Sequence, residues 1–284
     1  MKAITVWRKL GLGVFFRNST AVVGLVFVIL VVFLAVFGER ISPYPPNMMD
    51  LQNINQGMGS EHLLGTDHFG RDLFSRILTG TRRSLAISVM GIAGSVFLGG
   101  TLALVGGFLG GWVDLLLSRC IDIMMAIPGL LIAIIVLALT EPSPLAVSLA
   151  IAIAYTASTA RVIRSSVLSA RSQPYVEASL GTGASTIRVM MTDVIPTILP
   201  IIVVQATCML AWGILDEAAL GFLGLGVQPP DPSWGSILSE SRDYLFIAPW
   251  APLGAGFAVL IAVFGFNLLG DGLRDLFDPR TRER

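Results

Sequence analysis

The sequence predicts an all-α membrane protein with six transmembrane helices. Hydrophobic residues make up 54% of the 284-residue chain and charged residues only 13%, whereas soluble domains usually carry about 25% charged residues. A globule of this composition would lack the polar groups needed to cover its surface, so much of its apolar surface must face lipid. Helices are expected for the apolar segments, because a helix satisfies its own backbone polar groups in hydrocarbon.

The apolar segments give six predicted spans, each long enough or nearly long enough to cross a bilayer. They are residues 21–38, 85–107, 120–140, 144–163, 196–215 and 251–270. A long charged leader precedes the first span and no Ala-x-Ala site ends it, which favours an uncleaved helix over a signal peptide. Pro128 lies within the third span and predicts a kink, because proline removes a helical hydrogen bond.

The distribution of lysine and arginine predicts that both termini are cytoplasmic. In this orientation the inner segments hold 13 basic residues and the outer segments hold 6. The predicted organisation is a cytoplasmic N-terminal tail (1–20), a first transmembrane helix (21–38), an extracytoplasmic loop (39–84), a five-helix core (85–270) with a cytoplasmic loop (164–195), and a cytoplasmic C-terminal tail (271–284).

Several functions are excluded by what the sequence lacks. The formal net charge is zero with no basic patch, which argues against nucleic-acid binding. The only lysines are Lys2 and Lys9, so no phosphate-binding loop ending in Gly-Lys-Ser/Thr exists and the chain is not an ATPase. Intramembrane protease motifs are missing as well. The two cysteines, Cys120 and Cys208, form no Cys-x-x-Cys pair and are expected to be buried small hydrophobic residues.

The polar segment 164–195 predicts a short helix, a turn and a second helix. Pro174 suits the first turn of a helix, and Glu177 in that turn complements the helix dipole. Gly181 and Gly183 then break the helix, and Ser185 can cap the next one. Such a unit could lie in a groove of a partner protein, although an ordinary amphipathic interfacial loop would show the same pattern.

Residues 175–196 resemble the cytoplasmic coupling loop of ABC-importer permeases. Glu177, Ala178 and Gly183 match its pattern, and Pro196 lies at the expected nineteen positions after the glutamate. The chain departs from the pattern at position 179, which is Ser rather than Ala, and at Asp193, where an aliphatic residue is usual. The resemblance implies that the ATPase-coupling residues are Glu177, Ala178, Ser179, Gly183 and Pro196.

Three further segments resemble the peptide and nickel permease family of ABC importers. They are residues 64–76 (LGTDHFGRDLFSR), 220–235 (LGFLGLGVQPPDPSWG) and 266–280 (FNLLGDGLRDLFDPR). With the coupling loop, these motifs occur in the family's order over most of residues 21–280. The chain therefore looks like the second, C-type permease subunit of a dipeptide, oligopeptide or nickel importer, with the type I ABC importer permease fold.

This resemblance implies a transport subunit of the bacterial inner membrane that is not itself an enzyme. The expected partners are a second, non-identical permease, two ATP-binding subunits that hold ATP and Mg²⁺, an extracytoplasmic substrate-binding protein, and membrane lipid. No cofactor is expected in this chain. Peptides are the expected substrates, with nickel or another metal chelate, or an opine, as alternatives. A stand-alone secondary transporter or channel would need buried charged relays or inverted repeats, and neither is evident.

The remaining polar residues suggest candidate sites of lower specificity. Uncharged polar residues in the spans, and two acids just after the fifth span, are candidates for the translocation path: Tyr155, Thr156, Gln205, Thr207, Asp216 and Glu217. The Asp and Arg residues of 64–76 predict a turn tied by ion pairs. A catalytic Asp67–His68 pair and a His62–His68 metal site are both disfavoured.

Two structural expectations complete the prediction. Trp234 is expected to be a membrane-interface anchor. Arg119 and Asp122 are expected to pair with each other one turn apart.

Overall fold

The computed structural model describes residues 18–277, and this part of the chain contains helices, turns and loops but no β-strand. Five helices are long and apolar enough to cross a membrane, and a bent pair of shorter helices makes a sixth candidate span. The prediction of an all-α membrane protein is confirmed. The helices are α1 (Ser19–Ile41), α2 (Leu73–Leu109), α3 (Gly111–Met125), α4 (Gly129–Ala138), α5 (Pro144–Arg171), α6 (Pro174–Gly181), α7 (Thr186–Val189), α8 (Ile195–Phe222), α9 (Trp234–Glu240) and α10 (Trp250–Phe277).

Side-chain caps define where the long helices begin. The carboxylate of Asp72 accepts a hydrogen bond from the backbone N–H of Ser75 at 2.8 Å at the start of α2. Ser143 does the same for Ala146 at 3.1 Å, and Pro144 occupies the first turn of α5. Each cap satisfies an N–H group that has no partner inside its helix.

Five of the six predicted spans lie inside single observed helices, and several of these helices extend beyond the predicted boundaries. Helix α2 begins at Leu73 rather than at residue 85, so part of the predicted loop 39–84 is helical. The loop 164–195 is largely helical, because α5 continues to Arg171 and a π-helical turn at Met190–Val194 joins α7 to α8. Helix α10 extends to Phe277, into the predicted C-terminal tail. Residues 1–17 and 278–284 of the predicted tails lie outside the described residues.

The third predicted span is two helices rather than one kinked helix. Helices α3 and α4 meet at residues 126–128 with an angle of 88° between them. Pro128 is the residue that precedes the first turn of α4, where its missing N–H has no helical bond to make. The prediction located the break correctly and underestimated its angle.

Close helix packing depends on glycine at the contact points. Gly91 and Gly99 of α2 lie against α5, where an added Cβ at Gly99 would come within 2.6 Å of the carbonyl oxygen of Thr156. Gly24 of α1 lies equally close to the backbone of α10 at Leu269. Small residues let membrane helices approach closely, so these contacts hold α2 against α5 and α1 against α10.

A buried ion network joins the segment 64–76 to helix α9. Arg71 Nε donates to Asp67 Oδ2 at 2.6 Å, and its Nη2 donates to Glu240. Arg76 Nη2 lies 3.2 Å from Glu240 Oε2, and its Nε lies 3.7 Å from Asp67. Both guanidinium groups are almost completely buried. The predicted ion-paired turn is therefore confirmed.

The two histidines, His62 and His68, lie just before this segment and within it, and they have separate partners. His62 Nδ1 lies 2.9 Å from Asp72 Oδ1. His68 stacks on Tyr244, with ring centroids 4.7 Å apart. Among residues 18–277 no group of three or more His, Cys, Asp or Glu side chains is arranged to hold a metal ion.

Two expectations about individual residues are wrong. Trp234 is 1% exposed and packs in the core at the start of α9, so it is not an interface anchor. Cys120 is exposed on α3 rather than buried, and Cys208 is half-buried; both are free thiols.

The expected Arg119–Asp122 pair is present but weak. Its charged atoms are 3.9 Å apart, and Arg161 of α5 binds the same carboxylate at 2.7 Å. The main partner of Asp122 is therefore on another helix.

Candidate coupling site and translocation path

The segment resembling a coupling loop forms a short helix followed by a tight turn. Helix α6 begins with Pro174 in its first turn and has Glu177 in the same turn. Gly183 follows with φ of +85°, a conformation that side chains with a Cβ rarely adopt. The Ser185 side chain then accepts a hydrogen bond from the N–H of Arg188 at 3.4 Å and caps α7. The expected helix-turn-helix geometry is thus present.

Helix α6 is anchored to the membrane helices through one face. Val176 is fully buried in an apolar cluster that includes Val167 of α5 and Val194 before α8. The Tyr175 hydroxyl also lies 3.0 Å from the Thr197 hydroxyl at the start of α8. A displacement of α6 would therefore move the adjoining ends of α5 and α8.

The opposite face of α6 is available to a partner. Glu177 and Ala178 are exposed, and Ser179 is half-buried. No hydrogen bond or ion pair within residues 18–277 involves the Glu177 carboxylate. Pro196 lies apart from this face, in the first turn of α8 and half-buried. The residues of the coupling-loop motif therefore lie in two places: the first ones are on α6, and Pro196 is in the first turn of α8.

The candidate path residues do not form one continuous group. The Tyr155 hydroxyl donates to Asp216 Oδ2 at 2.8 Å, which joins α5 to α8. Thr156 is buried and bonds to the Ala152 carbonyl of its own helix, and Thr207 likewise bonds to Val203. These two threonine hydroxyls are used by their own helices, as is common for Thr in helices. Gln205 is half-buried on α8.

The two acids were expected just after the fifth span, and in the structure they lie on the same helix as that span. Asp216 and Glu217 both lie within α8, which continues to Phe222. Glu217 is fully buried, and its carboxylate lies beside the hydroxyl groups of Ser84 and Ser233. Glu217 therefore faces the packed interior of the helix bundle, whereas Asp216 is partly accessible beside Tyr155.

Two sets of charged residues that join separate helices were not predicted from the sequence. Glu240 is the shared partner of Arg71 and Arg76, and its distance along the chain left no local signal. Asp114 and Arg164 form a bidentate pair at 2.6 Å between α3 and α5. Arg161 and Arg164 lie three residues apart, a spacing that places both on one helix face and could have suggested acidic partners.

The fold, with an exposed helix-turn-helix between two apolar spans, defines a multi-pass membrane permease. The family profile described as "Binding-protein-dependent transport system inner membrane component" matches residues 95–283. A second profile, "N-terminal TM domain of oligopeptide transport permease C", matches residues 5–57. The chain belongs to the family of binding-protein-dependent inner-membrane transport components, which confirms the predicted resemblance to C-type ABC permeases.

Several relatives are similar over about nine tenths of their length. The chain is 40% identical to the dipeptide transport system permease protein DppC of Alkalihalophilus pseudofirmus, over 94% of this chain and 88% of the relative. It is 40% identical to the di/tripeptide permease DppC of Pseudomonas aeruginosa, over 94% and 90%. It is 37% identical to the glutathione permease GsiD of Pectobacterium atrosepticum, over 97% and 90%.

Proposed function

We propose that this chain is one of two permeases in an ATP-driven importer of small peptides in a bacterial inner membrane. The observation that supports it most is helix α6, which is anchored through buried Val176 and exposes the Glu177 carboxylate without a partner among residues 18–277. The relatives named for dipeptides, di/tripeptides and glutathione support the peptide substrate. A metal chelate or an opine is less well supported, because these relatives are all named for peptides.

The proposal places both termini and helix α6 in the cytoplasm, in agreement with the distribution of basic residues. There α6 would lie in a groove of an ATP-binding subunit, and a second such subunit would serve the partner permease. An extracytoplasmic binding protein would deliver substrate at the opposite side. ATP and Mg²⁺ are bound by the ATP-binding subunits, and no covalent chemistry occurs in this chain.

In this mechanism, closure of the ATP-binding subunits displaces α6. Because Val176 packs with α5 and the segment before α8, the displacement reaches both spanning helices. Tyr155 and Asp216 join the same two helices farther along the span. The partly accessible Asp216 carboxylate is a candidate to meet a substrate amine as the helices separate.

The test is purification of the native complex in mild detergent. We expect a second permease and two ATP-binding chains to copurify. We also expect the complex, reconstituted together with its extracytoplasmic binding protein, to take up radiolabelled dialanine or glutathione when ATP is supplied. The isolated chain should hydrolyse no ATP. A native complex without ATP-binding chains, or uptake that continues without ATP, would contradict the proposal.

A further inference from the structure

Helix α3 is bounded at each end by a break in the helical backbone. At its start, Gly110 and Gly111 have φ values of +69° and +59°. An added Cβ at Gly111 would meet nothing within 4 Å, so the requirement for glycine there is conformational. At its end, residues 126–128 produce the 88° bend to α4. Segments bounded by such breaks can reorient as a unit.

Few apolar contacts hold α3 in place. Ile121 is its only buried residue, in a small cluster with Ala157 and Ala160 of α5. Beside it, an apolar cleft of about 260 Å³ lies between α2, α3 and α5, and Met124 of α3 forms part of its wall. The cleft is lined by apolar side chains and opens at the surface of the chain beside α3.

Two ion pairs fix α3 to α5. Arg164 binds Asp114 through two parallel hydrogen bonds of 2.6 Å, with side chains 30% and 19% exposed. Arg161 binds Asp122 at 2.7 Å. Bidentate arginine–carboxylate pairs impose a defined geometry as well as an attraction. The orientation of α3 therefore depends on these two arginines of α5.

The same part of α5 leads directly to α6. Helix α5 continues to Arg171, and α6 begins at Pro174. Val167 and Ala170 of α5 share a buried cluster with Val176 of α6, so the end of α5 and α6 pack as one body. A displacement of α6 must then carry Arg161 and Arg164 with it.

We propose that α3 is a hinged arm, and that the Asp114–Arg164 and Asp122–Arg161 pairs transmit displacement of α6 to it. These four residues are positioning residues for transport and do not contact the substrate. The inference rests on the proposed function, because it requires an ATP-binding subunit to move α6. It adds the route by which this movement reaches the bent third span.

The route from α6 to α3 can be tested in the reconstituted complex by reversing the charge of Asp114 or Arg164, and then by exchanging the two charges. We expect Asp114→Arg and Arg164→Asp, each alone, to lower dialanine uptake per ATP hydrolysed about tenfold, within the usual range of coupling free energies. Membrane abundance and ATPase association should stay normal. The double variant Asp114→Arg/Arg164→Asp restores the opposite charges and should recover uptake.

A matched control uses the exposed Arg82–Glu39 pair, whose charged atoms are 3.8 Å apart. Reversing either charge of that pair should leave the uptake ratio unchanged. If the Asp114 and Arg164 single variants keep the wild-type ratio, or if the double variant transports no better than they do, the proposed route is wrong. If a charge-reversed variant does not fold, the milder Asp114→Asn takes its place. It removes one charge of the pair and should also lower the uptake per ATP hydrolysed.

A distance measurement tests the arm without any substrate. The native exposed Cys120 lies on α3, so a spin label there and another at Val105→Cys on α2 report their separation in a Cys208→Ala background. We expect the separation to change when the complex is trapped with ATP and vanadate, and this change to be lost in Arg164→Asp. An unchanged separation in the wild-type complex would overturn the inference. Failure of the proposed function would instead appear in the wild-type complex, as missing ATP-binding chains or missing uptake.

Discussion

The guanidinium of Arg76 and the carboxylate of Glu240 lie 3.2 Å apart although 164 residues separate them in the sequence. Arg71 binds the same carboxylate, and the side chains of both arginines are 2% exposed or less. This relationship fixes helix α9 against the start of α2. Because buried charges are costly when unpaired, the two arginines depend on Glu240 and on Asp67 for their burial.

Replacing Glu240 should therefore destabilise the protein strongly. Glu240→Ala would leave two buried guanidinium groups without their shared partner, and breaking a buried pair in this way costs about 3–5 kcal/mol. Thermal unfolding of the detergent-solubilised chain measures the effect. Glu39→Ala, which removes an exposed partner of Arg82, is the control and should change stability by less than about 1 kcal/mol. Equal losses of stability in the two variants would show that the buried ion network stabilises the protein no more than an exposed ion pair does.

Gly70 should tolerate no larger residue. Its φ is +72°, and an added Cβ would lie 1.8 Å from the carbonyl oxygen of Asp50. The left-handed conformation alone costs about 1–2 kcal/mol for a residue with a Cβ, and the clash adds to it. Gly70→Ala should lower the unfolding temperature and the amount of chain in the membrane. Gly59→Ala is the control, since an added Cβ there meets nothing within 4 Å; a similar loss in both would contradict this explanation.

The segment 64–76, which contains His68, should lose stability in mildly acidic solution. Burial lowers the pKa of the His68 imidazole below its usual 6.5, and this outweighs the opposing effect of Asp67. The unfolded chain therefore binds a proton at His68 more readily than the folded chain, so stability falls as pH drops through about 6.5. Unfolding measured between pH 8 and 5 should show this loss, and His68→Phe, which retains a ring beside Tyr244, should reduce it. An identical pH profile for the variant would exclude His68 as the source.

The proposed orientation predicts which face each loop occupies. In a background with Cys120 and Cys208 replaced, Ser60→Cys should react with a membrane-impermeant thiol reagent added to intact cells. Ser172→Cys, between α5 and α6, should react only after the membrane is opened. Both positions are exposed, so access to the side chain itself does not limit the reaction. The reverse pattern would place α6 outside and remove it from reach of an ATP-binding subunit.

The sequence predicted the class of fold well because hydropathy reports directly on lipid-facing helices. It placed the start of α2 too late because Arg76, Arg82 and Arg83 resemble loop residues by hydropathy. Arg76, however, is neutralised by Glu240 and buried within the protein. A partner so distant along the chain leaves no local pattern. Only the three-dimensional structure shows this kind of compensation.

In the candidate site, too, features set by neighbouring residues could be predicted, whereas features set by contacts between distant helices could not. Pro174, Gly183 and Ser185 act within a few residues of themselves, so their roles in the helix-turn-helix could be predicted. Pro128 located the break in the third span, but the 88° angle between α3 and α4 could not be predicted from a proline alone. The Tyr155–Asp216 bond likewise joins two helices whose relative rotation hydropathy does not specify.

The most direct test of the central claim is uptake by variants of helix α6 and its turn. Glu177→Lys reverses a charge at a helix N-terminus, which costs only about 0.3–1 kcal/mol in helix stability, and it alters the exposed face on which the proposed ATPase contact depends. Gly183→Val strains the turn, because φ there is +85°. Arg40→Ala, an exposed change near the end of α1 and far from this loop, is the control. We predict that both loop variants reach the membrane in normal amounts yet lose dialanine uptake and ATPase association, while the control keeps both. Full uptake by both loop variants at normal abundance would contradict the account and make this segment an ordinary interfacial loop.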